Sequence, residues 1–407
     1  MKKLLFFLLA ALMCGVVSAK PTMPKHLVVA GQSGNKVKVY NCNTKETKTL
    51  DGYLKNIGLD NSGNVYVLVC DGMHGWGNYT VYKNYGVYMS FKKDKDIEYS
   101  SMAMCVKDNN VVIAGSQVKK FNRKGYEARL VGYNNKVRVY ETDWERKSLK
   151  YEEFKGYAKI TGSGTKTKVE PINENESGCP EGSHLSVVFH VDAVDYCDGY
   201  IYATGWGERE YSETPVGYKK QHLVRRCPRV WKNGKEVVQQ YENRTGAAWN
   251  ISVFKYGGKE YIFTSGHQRG QACAWEHSTD QDNFSSLYGY PGVLDETIFQ
   301  AGATEQGPIY CRISLCKDVE ENNIHTFGRY YQNNKILDFW ACGPSLDVVA
   351  VNSGYYRLSY NKSNRLEVKY EKECVKKPYG FEFDRSGTAC TLPSDFKVSD
   401  AKLAVRE

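Results

Sequence analysis

Five short segments, each following a recurrent glycine, hold the residue types best suited to binding chemistry. Tryptophan and tyrosine rings offer flat faces for stacking, and arginine and glutamate offer charged groups for hydroxyls or carboxylates. The segments are MHGWGN (73–78), SQVKKFN (116–122), WGEREY (206–211), HQRGQ (267–271) and RYYQN (329–333). They predict a site for a protein or carbohydrate ligand that is formed by His74, Trp76, Trp206, Glu208, His267, Arg269, Arg329 and Tyr330.

A purely structural reading of these residues stays open. Tryptophans also plug the hub of a repeat fold, and charged loop residues are often only solvated. The discriminating observation is the chemistry at the mouth of the fold. Convergent carboxylates, or a histidine paired with a carboxylate, would favour an enzyme, whereas an aromatic surface poor in carboxylates would favour a binding protein.

Signatures of catalysis are sparse in this sequence. There is no G-x-S-x-G, H-E-x-x-H, P-loop or GxGxxG motif, so the catalytic residues are unknown and no cofactor is expected. His190-Val191-Asp192, and His325 after Glu320-Glu321, lie in or beside apolar runs, where a core histidine is the simpler interpretation. The alternative function is a hydrolase or lyase that acts on a lactone, glycoside or ester in a central funnel.

The five segments lie between copies of a repeated pair of apolar runs, which is expected to hold them in place. Each copy has an apolar run, a turn rich in Asn, Asp and Gly, and a second run that ends near a glycine, which is typical of a β-hairpin. Repeats of this length predict a ring or array of sheets, and a closed β-propeller hides the sheet edges. The copies are 57–72, 103–115, 191–205, 251–266, 313–328, 348–360 and 381–392.

A third strand with a Lys-Asn-Gly turn follows in the clearest copies, as in TVYKNYG (80–86) and RVWKNGK (229–235). Looser copies are KVKVYNCN (36–43), KVRVYETD (136–143) and ACAWEHS (272–278). RVWKNGK beside GYIYATG resembles secreted bacterial propellers with Y/W-K-N-G blades, and LVVAGQSGNKVKVYNCNTKETKTL resembles a blade of the lactonase or YVTN-type propellers. The resemblance covers most of 26–392. It implies the fold and carries over no catalytic motif.

The two ends of the repeat region set the number of blades. The first repeat begins at 27–31, which matches the second strand of a blade, and no first strand precedes it. Residues 380–384 match the first strand of a blade, and little sheet follows them. We therefore expect an all-β chain forming one closed propeller of seven four-stranded blades, whose termini share a blade. Six blades would follow if 348–360 is not a blade, and eight if 388–392 begins another.

Two intervals between the recurrent glycines of the repeat are unusually long. Residues 142–184 are hydrophilic and form either a loop or an insertion, and 206–226 are expected to form a second long loop. Because the repeat runs nearly end to end, we expect a single domain over 20–407. Long loops on a regular scaffold often carry function.

The amino terminus predicts export. Lys2 and Lys3 precede an apolar stretch that is too short to span a membrane, and Val17-Ser18-Ala19 is a typical cleavage site, so 1–19 reads as a signal peptide. We expect a secreted or periplasmic monomer without a membrane span. The formal charge of +9 comes from scattered basic residues, which argues against a nucleic-acid partner.

Twelve cysteines remain after cleavage, and in an oxidising compartment some should form disulfides. Cys179 and Cys227 are expected first, because they fall in long irregular segments. Five others fall in or beside predicted strands and should act as buried hydrophobic residues: Cys105, Cys197, Cys311, Cys316 and Cys390. No C-x-x-C spacing occurs, so no metal site is expected.

Overall fold

The described part of the chain is all-β. The computed structural model describes residues 23–73, 75–122, 125–146, 158–161, 168–171, 189–213, 221–239, 246–268, 271–278, 281–288, 293–304, 307–317, 324–332, 335–342, 345–351, 354–377 and 380–406. Within those ranges there is no helix, and so none that is long and apolar enough to cross a membrane.

The strands follow one another closely along the chain. They are β1 (His26–Ser33), β2 (Lys36–Asn41), β3 (Glu46–Asp51), β4 (Tyr53–Leu59), β5 (Val65–Cys70), β6 (Tyr79–Lys83), β7 (Gly86–Phe91), β8 (Ile97–Lys107), β9 (Asn110–Asn122), β10 (Gly125–Asn134), β11 (Val137–Glu141), β12 (Glu145–Arg146), β13 (Ala158–Thr161), β14 (Lys168–Pro171), β15 (Phe189–Cys197), β16 (Tyr200–Glu213), β17 (Gln221–Lys232), β18 (Lys235–Gln239), β19 (Gly246–Tyr256), β20 (Lys259–Gln268), β21 (Gln271–Ser278), β22 (Gln281–Tyr288), β23 (Val293–Thr304), β24 (Gly307–Lys317), β25 (Ile324–Gln332), β26 (Lys335–Cys342), β27 (Ser345–Val351), β28 (Gly354–Tyr360), β29 (Leu366–Lys377), β30 (Gly380–Thr391) and β31 (Asp400–Arg406).

Neighbouring strands pair antiparallel in the order of the chain. Six of the described sheets are β4–β7, β8–β11 with β12 added, β15–β18, β19–β22, β23–β26 and β27–β30. A seventh has the order β3-β2-β1-β31, and β13 and β14 form a two-stranded ribbon within the 142–184 segment. None of these described sheets closes on itself.

The two ends of the chain share a sheet, as expected, but the carboxyl-terminal strand in that sheet is β31 and not the segment 380–384. Residues 380–384 belong to β30, the outer strand of the sheet that precedes, and β31 pairs with β1 from His26↔Arg406 to Gln32↔Asp400. β31 was missed because it has no hairpin partner beside it in the sequence and pairs only with the distant β1; its Ala401, Leu403 and Ala404 are buried. The predicted hairpin at 381–392 is therefore a single strand.

Most of the other predicted hairpins are confirmed, but two predicted segments occupy a different position in their sheets. The copy at 313–328 falls on β24 and β25, the second and third strands of its sheet, because β23 precedes them as the inner strand. KVRVYE at 136–141 forms β11, the fourth strand of its sheet and not the third. The third strands predicted at 36–43, 80–86, 229–235 and 272–278 are β2, β6, β17 and β21.

Four sheets pack both of their faces in described apolar clusters, which explains why many of their strands are wholly apolar: the sheet of β1–β3 and β31, β4–β7, β8–β11 and β15–β18. In β1, Val28 belongs to a cluster with Val67 of the next sheet, whereas Leu27 belongs to one with Leu358 of the sheet β27–β30. Successive side chains of a strand point to opposite faces, so one strand serves two cores. The last sheet is thereby packed against the first.

The asparagine of the Lys-Asn-Gly turn has a structural role. Asn233 adopts a left-handed φ of 47°, its backbone N–H donates to Ile201 O at 2.8 Å, and its Oδ1 accepts the Ile201 N–H at 2.9 Å. Asn84 does the same with Val65, and Asn135 with Val111. A turn asparagine therefore fixes the start of the second strand in three sheets, because asparagine tolerates left-handed backbone and supplies the acceptor.

Candidate functional site

The first strand of six sheets carries a β-bulge near its start. This strand, here called the inner strand of its sheet, contacts the inner strands of the neighbouring sheets. In three of these sheets the bulge lies at a single pocket, which Lys55, Ser101 and Asp192 line. A bulge re-aims a side chain and is frequent beside functional sites. The bulged positions are Lys55, Ser100, Asp192, Trp249, Leu294, Phe299 and Leu346.

Glycines of the second strand make these irregularities possible. A β-carbon on Gly205 would overlap the carbonyl oxygen of His190, and one on Gly266 would overlap that of Ala247. On Gly115 it would lie 2.6 Å from the carbonyl oxygen of Ser101. The recurrent glycine of the sequence is therefore needed where the inner strand's backbone approaches most closely.

A small polar pocket opens between three of the inner strands. It has a volume of about 110 Å³ and takes walls from β4, β8, β15 and the 71–78 segment. Ser101 fixes one wall, since its Oγ accepts the Val191 N–H at 2.8 Å. The full lining is Lys55, Gly75, Tyr79, Ser101, Met102, Ala103, His190, Val191 and Asp192.

A histidine–carboxylate pair lies in this pocket. His190 Nε2 is 3.3 Å from Asp192 Oδ1, and each side chain is about one quarter exposed. Asp192 Oδ2 is buried and accepts no hydrogen bond from any described residue. An anionic oxygen in that position is a strong acceptor, so a donor on a ligand would satisfy it.

An aromatic platform adjoins the pair. Trp206 lies directly across from His190 in the β15–β16 ladder, so the two side chains share a face of the sheet. Their rings are stacked, with centroids 5.3 Å apart and planes within 9°. The platform and the carboxylate together combine an apolar face with a charged acceptor.

The floor of the pocket is buried and uncharged. Tyr79 donates its hydroxyl to the carbonyl of Gly75, and burial raises the pKa of Tyr79 well above its usual value. Burial likewise raises the pKa of the neighbouring Cys70 thiol. Both groups therefore stay protonated at neutral pH and contribute shape, not charge.

Two of the predicted ligand-binding residues adjoin the pocket. Trp206 stacks on His190, and Trp76, which is 37% exposed, follows Gly75 of the pocket wall. His74 and Arg269 lie outside the described residues. The others occupy strands of three different sheets, and their side chains are also outside the described part: Glu208 in β16, His267 in β20, and Arg329 and Tyr330 in β25.

The predicted loops are mostly strand. Residues 206–226 do not form a long loop, because β16 and β17 pair from Trp206↔Pro228 to Glu213↔Gln221. Cys227 consequently lies in β17 opposite Gly207, whereas Cys179 is outside the described residues. The polar composition of this hairpin concealed strands that extend beyond the apolar core. Of the five predicted loops, only 73–78 lies largely outside strands.

Other buried charges serve the fold. Asp195 accepts hydrogen bonds from Lys107 Nζ at 3.0 Å and from the Val253 N–H at 2.6 Å, which ties three sheets together. Burial opposes the charged form of Lys107, but Asp195 outweighs it and the pKa of Lys107 is raised. Among the described residues, no group of three or more His, Cys, Asp or Glu could hold a metal ion.

The sequence did not identify Lys55, Ser101 and Tyr79 as site residues, and His190 was interpreted as a core histidine. For Ser101 and His190 the available signal was a polar residue just before the inner-strand residue that pairs with a recurrent glycine, Gly115 or Gly205. That pattern cannot by itself show which side chains converge, since β4, β8 and β15 belong to different sheets.

Comparisons with known proteins show only low similarity. No protein-family model matches this chain, and no curated protein matches it. Among solved structures, BBS1N in complex with ARL6DN is 12% identical, with a TM-score of 0.42, over 87% of this chain and 92% of that one. The dihydro-heme d1 dehydrogenase NirN is 11% identical, with a TM-score of 0.40, over 95% and 78%. AztD from Citrobacter koseri is 9% identical, with a TM-score of 0.31, over 93% and 97%.

Proposed function

We propose that the chain is a seven-bladed β-propeller closed by β31. The support is the cyclic order of contacts between inner strands: β31 packs on β4, and the series continues through β8, β15, β19, β23 and β27 back to β31. Such a ring leaves only short outer edges unpaired. Small-angle scattering of the purified chain should give a compact disc, and an extended array would contradict closure.

The function proposed for this propeller is the binding of a polar organic ligand, namely a glycan. The observation that carries it is the buried Asp192 Oδ2, without a donor among the described residues, beside the His190–Trp206 stack. A sugar presents both hydroxyl donors for the carboxylate and an apolar ring face for the tryptophan. At about 110 Å³ the pocket admits the terminal group of a ligand, since pockets for whole drug-sized molecules are about 300 Å³ or more.

A glycan array followed by calorimetry tests this proposal. Glycans that bind the wild type should lose affinity with Asp192→Asn, because an amide offers a weaker acceptor than a carboxylate. Asp198→Asn is the matched control, since Asp198 lies in the turn at the other end of β15 and is exposed. Equal affinity of the Asp192→Asn variant, or no glycan bound at all, would overturn the assignment.

A second candidate function has one observation in its favour. A histidine paired with a carboxylate was the feature expected of an enzyme, and His190 and Asp192 form such a pair. The carboxylate would orient the imidazole at Nε2 and leave Nδ1 to act as a general base. Turnover of lactones, glycosides or esters, lost by about 10²-fold or more in His190→Gln, would establish a hydrolase or lyase.

We further propose that the mature chain is exported as a secreted or periplasmic monomer. It rests on the charged, apolar and small-residue pattern of residues 1–19. Expression in a bacterium, with sequencing of the mature amino terminus, should give Lys20 as the first residue. A chain retained with Met1 in the cytoplasm would contradict it.

A further inference from the structure

We propose that Cys42 and Cys390 are a disulfide pair that fastens the first sheet of the chain to the last. Cys42 follows β2 directly, and its N–H donates to Leu27 O at 2.9 Å. Cys390 lies near the end of β30, opposite Val368 of β29. Both are thiols in this structure, and both are buried in the same core cluster between the two sheets.

The two side chains share one buried cluster, and Lys45, three residues after Cys42, has its Nζ 4.0 Å from the Cys390 sulfur. Of the five described cysteine side chains, these two are the pair that belongs to a single cluster. Interaction with Cys42 lowers the pKa of Cys390, against the effect of burial, and Lys45 adds to the lowering.

This pairing is chemically balanced when an external disulfide serves as the oxidant. During folding the Cys390 thiolate attacks one sulfur of that disulfide and expels the first external thiol. Cys42 then attacks the mixed disulfide at the Cys390 sulfur and expels the second. The two external thiols carry away the two electrons and two protons. Such oxidants belong to the export compartment, so the inference rests on the proposed export.

The consequence would be a covalent link across almost the whole chain. Without it, the carboxyl-terminal strand β31 is held in the first sheet by its ladder with β1, and the first and last sheets are held together by packing. A disulfide that closes a long loop stabilises mainly by restricting the unfolded chain. It would also hold the seam between the termini while the remaining sheets assemble.

Peptide mapping of the exported full-length chain tests the link directly. Alkylation of free thiols under denaturing conditions, then digestion with trypsin without reductant, should give peptide 39–45 joined to peptide 386–397; each contains one cysteine. Recovery of the two peptides separately and alkylated, from protein whose leader has been removed, would overturn the disulfide and leave export standing.

Thermal unfolding gives an independent readout. Cys42→Ala and Cys390→Ala should each lower the Tm by about 4 °C, and the double variant should lower it little further, because either change removes the same bond. Cys70→Ala is the matched control at another buried cysteine. Its effect should add to that of Cys42→Ala, and full additivity of Cys42→Ala with Cys390→Ala would contradict the pairing.

Discussion

The carbonyl oxygen of His190 occupies the space that a β-carbon on Gly205 would need. Gly205 pairs with Val191, and the bulge at Asp192 follows immediately. The glycine thus permits the backbone turn that points Asp192 into the pocket. A residue that looked like a strand terminator in the sequence is a requirement of the site.

Gly205→Ala should therefore damage both the fold and the site. The methyl group must displace the β15 backbone, which we expect to cost about 3 kcal/mol of unfolding free energy, by analogy with overpacked cores. Chemical denaturation measures the cost. Gly86→Ala is the control, because a β-carbon there would meet its nearest atom at 3.6 Å, and its effect should stay within about 0.5 kcal/mol.

Trp206→Ala should weaken ligand binding by roughly thirtyfold, which corresponds to about 2 kcal/mol for an aromatic anchor. The Tm should change little, because Trp206 is partly exposed and stacks on His190 at the pocket edge. Calorimetry and thermal melting measure the two effects. Trp231→Ala is the contrast, since Trp231 is fully buried and its truncation should cost about 3–5 kcal/mol of stability. A comparable loss in Trp206→Ala would assign that residue to core packing.

Asn233→Ala should destabilise the chain by about 2 kcal/mol. The change removes the acceptor for the Ile201 N–H and places alanine at a φ of 47°, and both effects are unfavourable. Asn233→Asp keeps an acceptor and a residue that tolerates this φ, so it should stay within about 0.5 kcal/mol. Equal losses in urea unfolding would show that the asparagine acts in another way.

Asp195→Ala should cost about 3 kcal/mol, because it leaves the Val253 N–H without its acceptor and Lys107 without its counter-ion, with only the Val253 carbonyl as a partner. We expect a loss at the lower end of the range for a broken buried ion pair, because the Lys107 side chain is about one third exposed. Asp198→Asn removes the charge of an exposed ion pair with Lys255 and keeps a residue that tolerates the φ of 52° at this position, so it should have no measurable effect on unfolding. A small loss at Asp195 would mean that the three sheets are held by apolar contacts alone.

Asp60 should make the chain sensitive to acid. Burial raises the pKa of Asp60, but hydrogen bonds from Asn64, Tyr66 and Ser62 outweigh it, and the net pKa is lowered. The stabilisation is present above the unfolded value of about 3.9 and is lost as the pH falls through the lower folded value. Asp60→Asn should flatten this part of the pH–stability curve measured by urea unfolding. Unchanged acid sensitivity would exclude Asp60 as its source.

Several local features were determined by the sequence itself. Alternating and wholly apolar runs separated by Asn, Asp and Gly predicted the hairpins β4–β5, β8–β9, β15–β16 and β19–β20, because strand period and turn conformation are local properties. The Lys-Asn-Gly turns were predicted for the same reason. The extension of the hairpin β16–β17 was not, since its polar strands are fixed by pairing with each other, and β31 was not, since its only partner is the distant β1.

Only the tertiary structure decided which side chains meet. Lys55, Ser101 and His190 are separated by 46 and 89 residues along the chain, yet they line one pocket because β4, β8 and β15 pack side by side. The stack of Trp206 on His190 depends on a register that a slip of one residue would reverse. Cys42 and Cys390 likewise meet because the last sheet returns to the first. Contacts between distant strands depend on packing and register, which no single segment of the sequence contains.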